Sequence, residues 1–197
     1  KKGEEKWYVL DSALVYKFKD PIYINGNVHL ILKDGCVLTQ KTYYAIEHLR
    51  ICVKPGSTLT IYSQQEGTGK IDKLEGNSTR SGIHVPKGAT LNIKGGTIDA
   101  EGTSGGAGIG GDKGETAGNI NIYGGTVNAT GSDLIKVGGA GIGGGKGGDG
   151  GTTTITGGTV TSTGGWEAAG IGGGEKGNGG TVEIRGGTVT ANRGDYG

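Results

Sequence analysis

Four segments of the chain superimpose: TLNIKGGTIDAEG (residues 90–102), INIYGGTVNATG (120–131), TITGGTVTSTG (154–164) and VEIRGGTVTANRG (182–194). Their Gly-Gly pairs begin at Gly95, Gly124, Gly157 and Gly186, so the spacing runs 29, 33 and 29 residues. The longer step is an insertion of four residues around 132–137 (SDLIKV). A second motif keeps in phase with the first: GAGIGG at 106–111, GAGIGGG at 139–145 and AAGIGGG at 168–174. Two motifs locked at one offset require each unit to rest on the last, and a fixed period of this length marks a solenoid.

Composition alone argues otherwise. Of 197 residues 47 are glycine and only 32% are hydrophobic, and 38 of the glycines fall in residues 95–197. Such a chain has little apolar surface to offset the entropy of ordering. Three prolines and no strict Gly-X-Y triplet exclude collagen. Only the repeat makes folding credible, because small side chains stacked like on like build one continuous core.

Within each unit the periodicity is two, the mark of strands. One inward column is Ile98, Val127, Val160, Val189, followed by Ala100, Ala129, Ser162, Ala191. A preceding strand supplies Leu91/Ile93, Ile120/Ile122, Thr153/Ile155 and Val182/Ile184. The AGIG strand adds Ala107/Ile109, Ala140/Ile142 and Ala169/Ile171. The first half conforms more loosely: GSTLTIY (56–62) and GATLNIK (88–94) align, Ile51–Val53 and Ile83–Val85 precede them equivalently, and 26–39 reads as an earlier coil. The expectation is an all-β chain folded as a right-handed parallel β-helix of about six coils, with three short strands per coil. Residues 1–21 are expected to cap its open end, with Trp7, Tyr8, Val9, Leu10, Leu14, Val15 and Tyr16 as apolar cover; 22–197 carry the repeats. The final NRGDYG aligns with TGGWEAAG at 163–170, as if another unit were beginning. A monomeric module cut from a longer protein is therefore expected.

A net charge of +1 favours neither nucleic acid nor an anionic membrane as partner. No apolar run approaches the ~20 residues that span a bilayer, so no membrane insertion is expected. Cys36 and Cys52 are too few for a disulfide scaffold, and whether they are bridged or lie as buried thiols stays open.

In a β-helix, function belongs to outward columns. Thr97, Thr126, Thr159 and Thr188, beside Asp99, Asn128, Thr161 and Thr190, form a threonine-rich ladder. Its Asp and Asn rows spoil a match to an ice lattice, and stacked threonines stabilise sheets on their own account. A second column runs Tyr62, Lys94, Tyr123, Thr156, Arg185, flanked by Thr60, Asn92, Asn121, Thr154 and Glu183. Tyrosines interleaved with amides, hydroxyls and basic groups suit stacking on sugar rings and bonding to their hydroxyls. Trp166 and Tyr196 stand in comparable turns, where loop aromatics often contact ligand. The candidate ligand-binding residues are thus Tyr62, Lys94, Tyr123, Trp166 and Arg185, with Lys94 and Arg185 steering acidic sugars.

Other signals are weaker. In the loops after each AGIGG, Asp112, Glu115, Asp149 and Glu175 are carboxylates suited to calcium, but dense Asp spacing is lacking and mixed-sign solvated turns are expected. His29, His48 and His84 show no metal-ligand spacing with one another or with the cysteines. No metal or other cofactor is expected. Asp99 and Glu101 are neighbours, but no carboxylates repeat at one column in adjacent coils, which argues against a catalytic cluster. Arg193-Gly194-Asp195 reads as a chance triplet, and the sequons at Asn77 and Asn128 carry weight only if the source is eukaryotic and secreted.

From about residue 22 onward, GATLNI, GAGIGGG and the GGTVTA-type strands resemble the glycine-rich right-handed β-helix repeats of bacterial cell-surface proteins. These lie in the broad pectate-lyase-like group, which includes non-catalytic carbohydrate-binding and adhesin modules. The resemblance implies a secreted or wall-attached location and a binding or spacer role, with polysaccharide or host glycan as partner. It assigns no individual residue. The alternatives are a rigid stalk, or a polysaccharide lyase, from which the chain departs by lacking the acidic and basic catalytic cluster.

Overall fold

The computed structural model describes residues 5–16, 21–40, 50–75, 79–134 and 136–195. His48, Asn77 and Tyr196 lie outside them, as do parts of the expected cap. Three parallel sheets run the length of the molecule. The first stacks Glu5–Leu10, Asn27–Leu32, Thr58–Ser63, Thr90–Ile93, Asn119–Ile122, Thr152–Ile155 and Thr181–Ile184. The second stacks Leu14–Tyr16, Val37–Gln40, Lys70–Glu75, Thr97–Glu101, Thr126–Thr130, Thr159–Thr163 and Thr188–Asn192. The third stacks Ile22–Ile24, Ile51–Val53, Ile83–His84, Ile109–Gly110, Ile142–Gly143 and Ile171–Gly172. The chain visits the sheets in that order in each coil, with the right-handed turn expected between parallel strands. The fold is a right-handed parallel β-helix with three strands per coil.

Register follows the repeat residue by residue. Ile98 pairs with Val127, Val127 with Val160 and Val160 with Val189. Leu91 and Ile93 pair with Ile120 and Ile122, and Ile109, Ile142 and Ile171 form a third column. Ile93, Ile98, Ile109, Ile122, Val127 and Ile142 are all completely buried. At the last rung Val182 and Ile184 are exposed, as no described coil covers them. The four-residue insertion forms a small antiparallel hairpin, Asp133–Leu134 with Val137–Gly138.

Glycine solves two local problems. The second residue of each Gly-Gly turn, at Gly96, Gly125, Gly158 and Gly187, has φ between +85° and +89°, a region that costs other residues steric strain. Gly110, Gly143 and Gly172 end the third-sheet strands at φ +140°, +136° and +141°. There a Cβ on Gly143 would strike the carbonyl oxygen of Gly172 in the next coil.

Of the segment expected to cap the stack, Glu5–Leu10 pairs with Asn27–Leu32 and Leu14–Tyr16 with Val37–Gln40, so they add a first rung to two sheets. The expectation that no carboxylates share a column in adjacent coils is corrected. Glu75 is in register with Glu101, across a shift that displaces Asp72 and Lys73. Lys70 bridges Asp72 and Asp99, at 2.8 and 2.9 Å. That irregular coil departs from the 29-residue spacing and hides the match in the sequence. Cys36 and Cys52 are free, buried thiols.

Candidate functional site

Alternation along each first-sheet strand turns every second side chain outward. The outer face therefore carries side chains in columns, two of which are adjacent and rich in aromatic and polar groups. One runs Trp7, His29, Thr60, Asn92, Asn121, Thr154, Glu183, each in register with the next. The other begins Val9, Ile31, Tyr62. It continues through Lys94, Tyr123, Thr156 and Arg185, whose N–H groups donate to Ile61, Ile93, Ile122 and Ile155 of the preceding coils.

At the first coils these columns make an aromatic strip. The Trp7 ring lies 4.1 Å from the His29 ring at an interplanar angle of 10°, and 5.6 Å from the Tyr62 ring. His29 Nδ1 and the Tyr62 hydroxyl are 3.2 Å apart. Lys94 places its ammonium 5.2 Å from the Tyr62 ring centre and 5.8 Å from that of Tyr123, a cation–π bridge between aromatics two coils apart. Beside it runs an amide ladder: Asn121 Nδ2 donates to Asn92 Oδ1 at 2.9 Å, and Asn92 Nδ2 to Thr60 Oγ1 at 3.2 Å. His29, Thr60, Tyr62, Asn92, Lys94 and Tyr123 line a shallow trough of about 590 Å³. Trp7 and Tyr123 remain half exposed, at 55% and 49%.

The structure thus brings together three of the five residues read from the sequence, Tyr62, Lys94 and Tyr123. Arg185 stands on the same column beyond Thr156 and is held by Glu183 at 2.7 Å, outside the trough. Trp166 occupies a turn between Thr159–Thr163 and Ile171–Gly172, at the corner of the second and third sheets. Sequence reasoning missed Trp7 and His29. For His29 the signal was present: VHLIL at 28–32 aligns with LTIYS at 59–63, which places His29 over Thr60; Trp7 is placed over His29 only by the strand register.

A second polar group lies on the third-sheet side. His84 ends its strand, and one coil on, the loop after Ile109–Gly110 brings Asp112 and Glu115 to it. His84 Nε2 is 2.6 Å from Glu115 Oε2 and 3.9 Å from Asp112 Oδ2. Arg50, completely buried, donates through Nη2 to both Asp112 oxygens at 2.9 and 3.1 Å. Ser81 donates to Oδ1 from its N–H at 2.8 Å and its hydroxyl at 2.7 Å. Burial pushes the Asp112 carboxyl up, but His84, Arg50 and Ser81 outweigh it and hold the group below the usual carboxylate range. His84, Asp112 and Glu115 could together hold a metal ion.

The expectation of solvated loop carboxylates is corrected at Asp112 and also at Glu175, which is only 3% exposed and paired with Lys146 of the preceding coil at 2.8 Å. Loops that stack coil upon coil cover one another, so Asp112 and Glu175 are enclosed by their neighbours, while Glu115 stays exposed.

Residues 91–114, 120–146, 154–175 and 182–197 match the family model described as a beta helix repeat. No curated protein and no solved structure gives a significant match to the chain. Four matching repeats and three parallel sheets in register make the chain a parallel β-helix repeat module.

Proposed function

We propose that this is a non-enzymatic carbohydrate-binding module whose contact surface is the outer face of the first sheet. The observation that carries the reading is the strip Trp7–His29–Tyr62–Lys94–Tyr123 alongside the Thr60–Asn92–Asn121 ladder. Aromatic faces take the apolar faces of sugar rings, and the amides and hydroxyls meet the ring hydroxyls. Rungs of a sheet stand about 4.8 Å apart, so Tyr62 and Tyr123, two coils apart, suit an extended oligosaccharide lying along the helix axis. Lys94 between them favours acidic sugars. A β-sheet face holds these groups rigidly, so little ordering entropy opposes binding. The module then acts outside the cell, on a polysaccharide or a host glycan, as the resemblance to surface β-helix proteins implies.

The test is a glycan array run with the wild-type protein and with Tyr62→Ala, Tyr123→Ala and Trp7→Ala variants. Each aromatic lost should weaken binding by up to about tenfold, the equivalent of ~1.4 kcal/mol. Glycan binding unchanged in the triple variant would remove the assignment. Absence of any bound glycan would leave a stiff spacer, which the continuous first-sheet ladder would serve well. Cleavage of an acidic polysaccharide would replace the reading with a lyase.

A further inference from the structure

We infer that His84, Asp112 and Glu115 form a binding site for a single divalent transition-metal ion, with Arg50 and Ser81 as its outer support. Three donor atoms, one imidazole nitrogen and two carboxylate oxygens, all lie within 4.8 Å of one another. Ligands about 2.1 Å from a tetrahedral ion stand about 3.4 Å apart. The two distances from His84 Nε2, 2.6 Å to Glu115 and 3.9 Å to Asp112, bracket that value. Meeting it takes an outward shift of Glu115, whose side chain is 47% exposed and so able to move, and a smaller turn of the His84 ring toward Asp112.

Asp112 is arranged as a metal-ligating carboxylate is. Its Oδ1 is occupied by two Ser81 donors and by Arg50, which also reaches Oδ2. The carboxylate is therefore held in one orientation with Oδ2 toward His84, as outer-shell partners hold a ligand. Arg50 Nε and Nη1 are buried with no partner among the described residues, a costly placement whose evident return is the fixed position of Asp112. Two carboxylates converge on one ring nitrogen, which has at most one proton to share. A cation between the three groups satisfies both carboxylates at once. The two carboxylates outweigh the Arg50 guanidinium, so a net negative charge beside His84 attracts a cation. Imidazole with carboxylates favours zinc or manganese over calcium, which prefers oxygen alone.

Isothermal titration with Zn²⁺, Mn²⁺ and Ca²⁺ tests this on the intact chain. Zn²⁺ should bind one ion per chain, at least tenfold tighter than Ca²⁺. His84→Gln and Glu115→Gln should each weaken Zn²⁺ at least tenfold, and Ser81→Ala about tenfold. Glu115 is exposed, so Glu115→Gln should melt as the wild type does without metal, and it carries the test if the His84 variant folds poorly. Visible absorption of bound Co²⁺, lost in Glu115→Gln, gives a second readout. No Zn²⁺ binding, Zn²⁺ binding unchanged in Glu115→Gln, or a preference for Ca²⁺ would overturn the inference.

Discussion

Replacing Gly143 with alanine tests how tightly the third sheet is built. Gly143 has φ +136° and its carbonyl accepts from the Gly111 N–H at 2.9 Å. An added Cβ would point at the Gly172 carbonyl, which itself accepts from Gly144 at 2.9 Å. Neither oxygen can retreat without breaking a ladder bond. The backbone strain costs about 1–3 kcal/mol and the crowding about 1–3 kcal/mol, or ~4 kcal/mol together. For a chain of this length that lowers Tm by roughly 8–16 °C. Gly147→Ala is the control. It has φ +79°, no atom of the described residues lies within 4 Å of where its Cβ would sit, and the next coil carries Lys176 at the equivalent turn with φ +64°. It should cost only about 1 kcal/mol, or roughly 2–4 °C. Thermal melts followed by circular dichroism decide the matter: equal Tm values for the two variants would refute the close stacking of the Gly110, Gly143 and Gly172 column.

The two faces of one strand should respond unequally to truncation. Val127→Ala removes a fully buried side chain between Ile98 and Val160 and should cost about 1.5–3 kcal/mol in denaturant unfolding. Thr126→Ala, on the exposed face, should stay within about 0.5 kcal/mol. Burial pushes the Glu175 carboxyl up, but Lys146, the Gly138 N–H and Lys176 hold it below its ordinary value. Its contribution is complete above the unfolded carboxylate pKa of about 4.3 and is lost as pH falls through the lower folded value. Glu175→Gln should therefore flatten the acid limb of a Tm-against-pH curve, and an unchanged limb would deny the pairing. Burial also pushes both thiols up, so Cys36 and Cys52 should react with a disulfide reagent only when the chain unfolds; rapid reaction of the native protein would show them accessible.

Much of this molecule was legible because a β-helix turns sequence period directly into space. Ile98, Val127, Val160 and Val189 sit at one offset, and each residue pairs with its equivalent a coil away. Tyr62, Lys94 and Tyr123 could be aligned for the same reason. Legibility failed where the period failed. Trp7 belongs to a coil whose spacing differs from the glycine-rich units, so its place above His29 is visible only in register. Lys70–Glu75 carries a register shift that leaves Asp72 and Lys73 opposite Asp99 without a one-to-one match, so Glu75 falls in register with Glu101. His84, Asp112 and Arg50 come from a strand end, a loop and a strand lead-in of three different coils, and no single repeat unit contains their relation. Arg50, a charged residue buried completely, ran against every compositional expectation for its position.

The most direct test of the carbohydrate-binding account is amide chemical-shift mapping with the tightest oligosaccharide found on the array. Perturbations confined to Trp7, His29, Tyr62, Lys94, Tyr123 and the Asn92–Asn121 ladder are the predicted result. Shifts clustered instead around the Trp166 corner or the threonine face of the second sheet, with the first sheet silent, would contradict it.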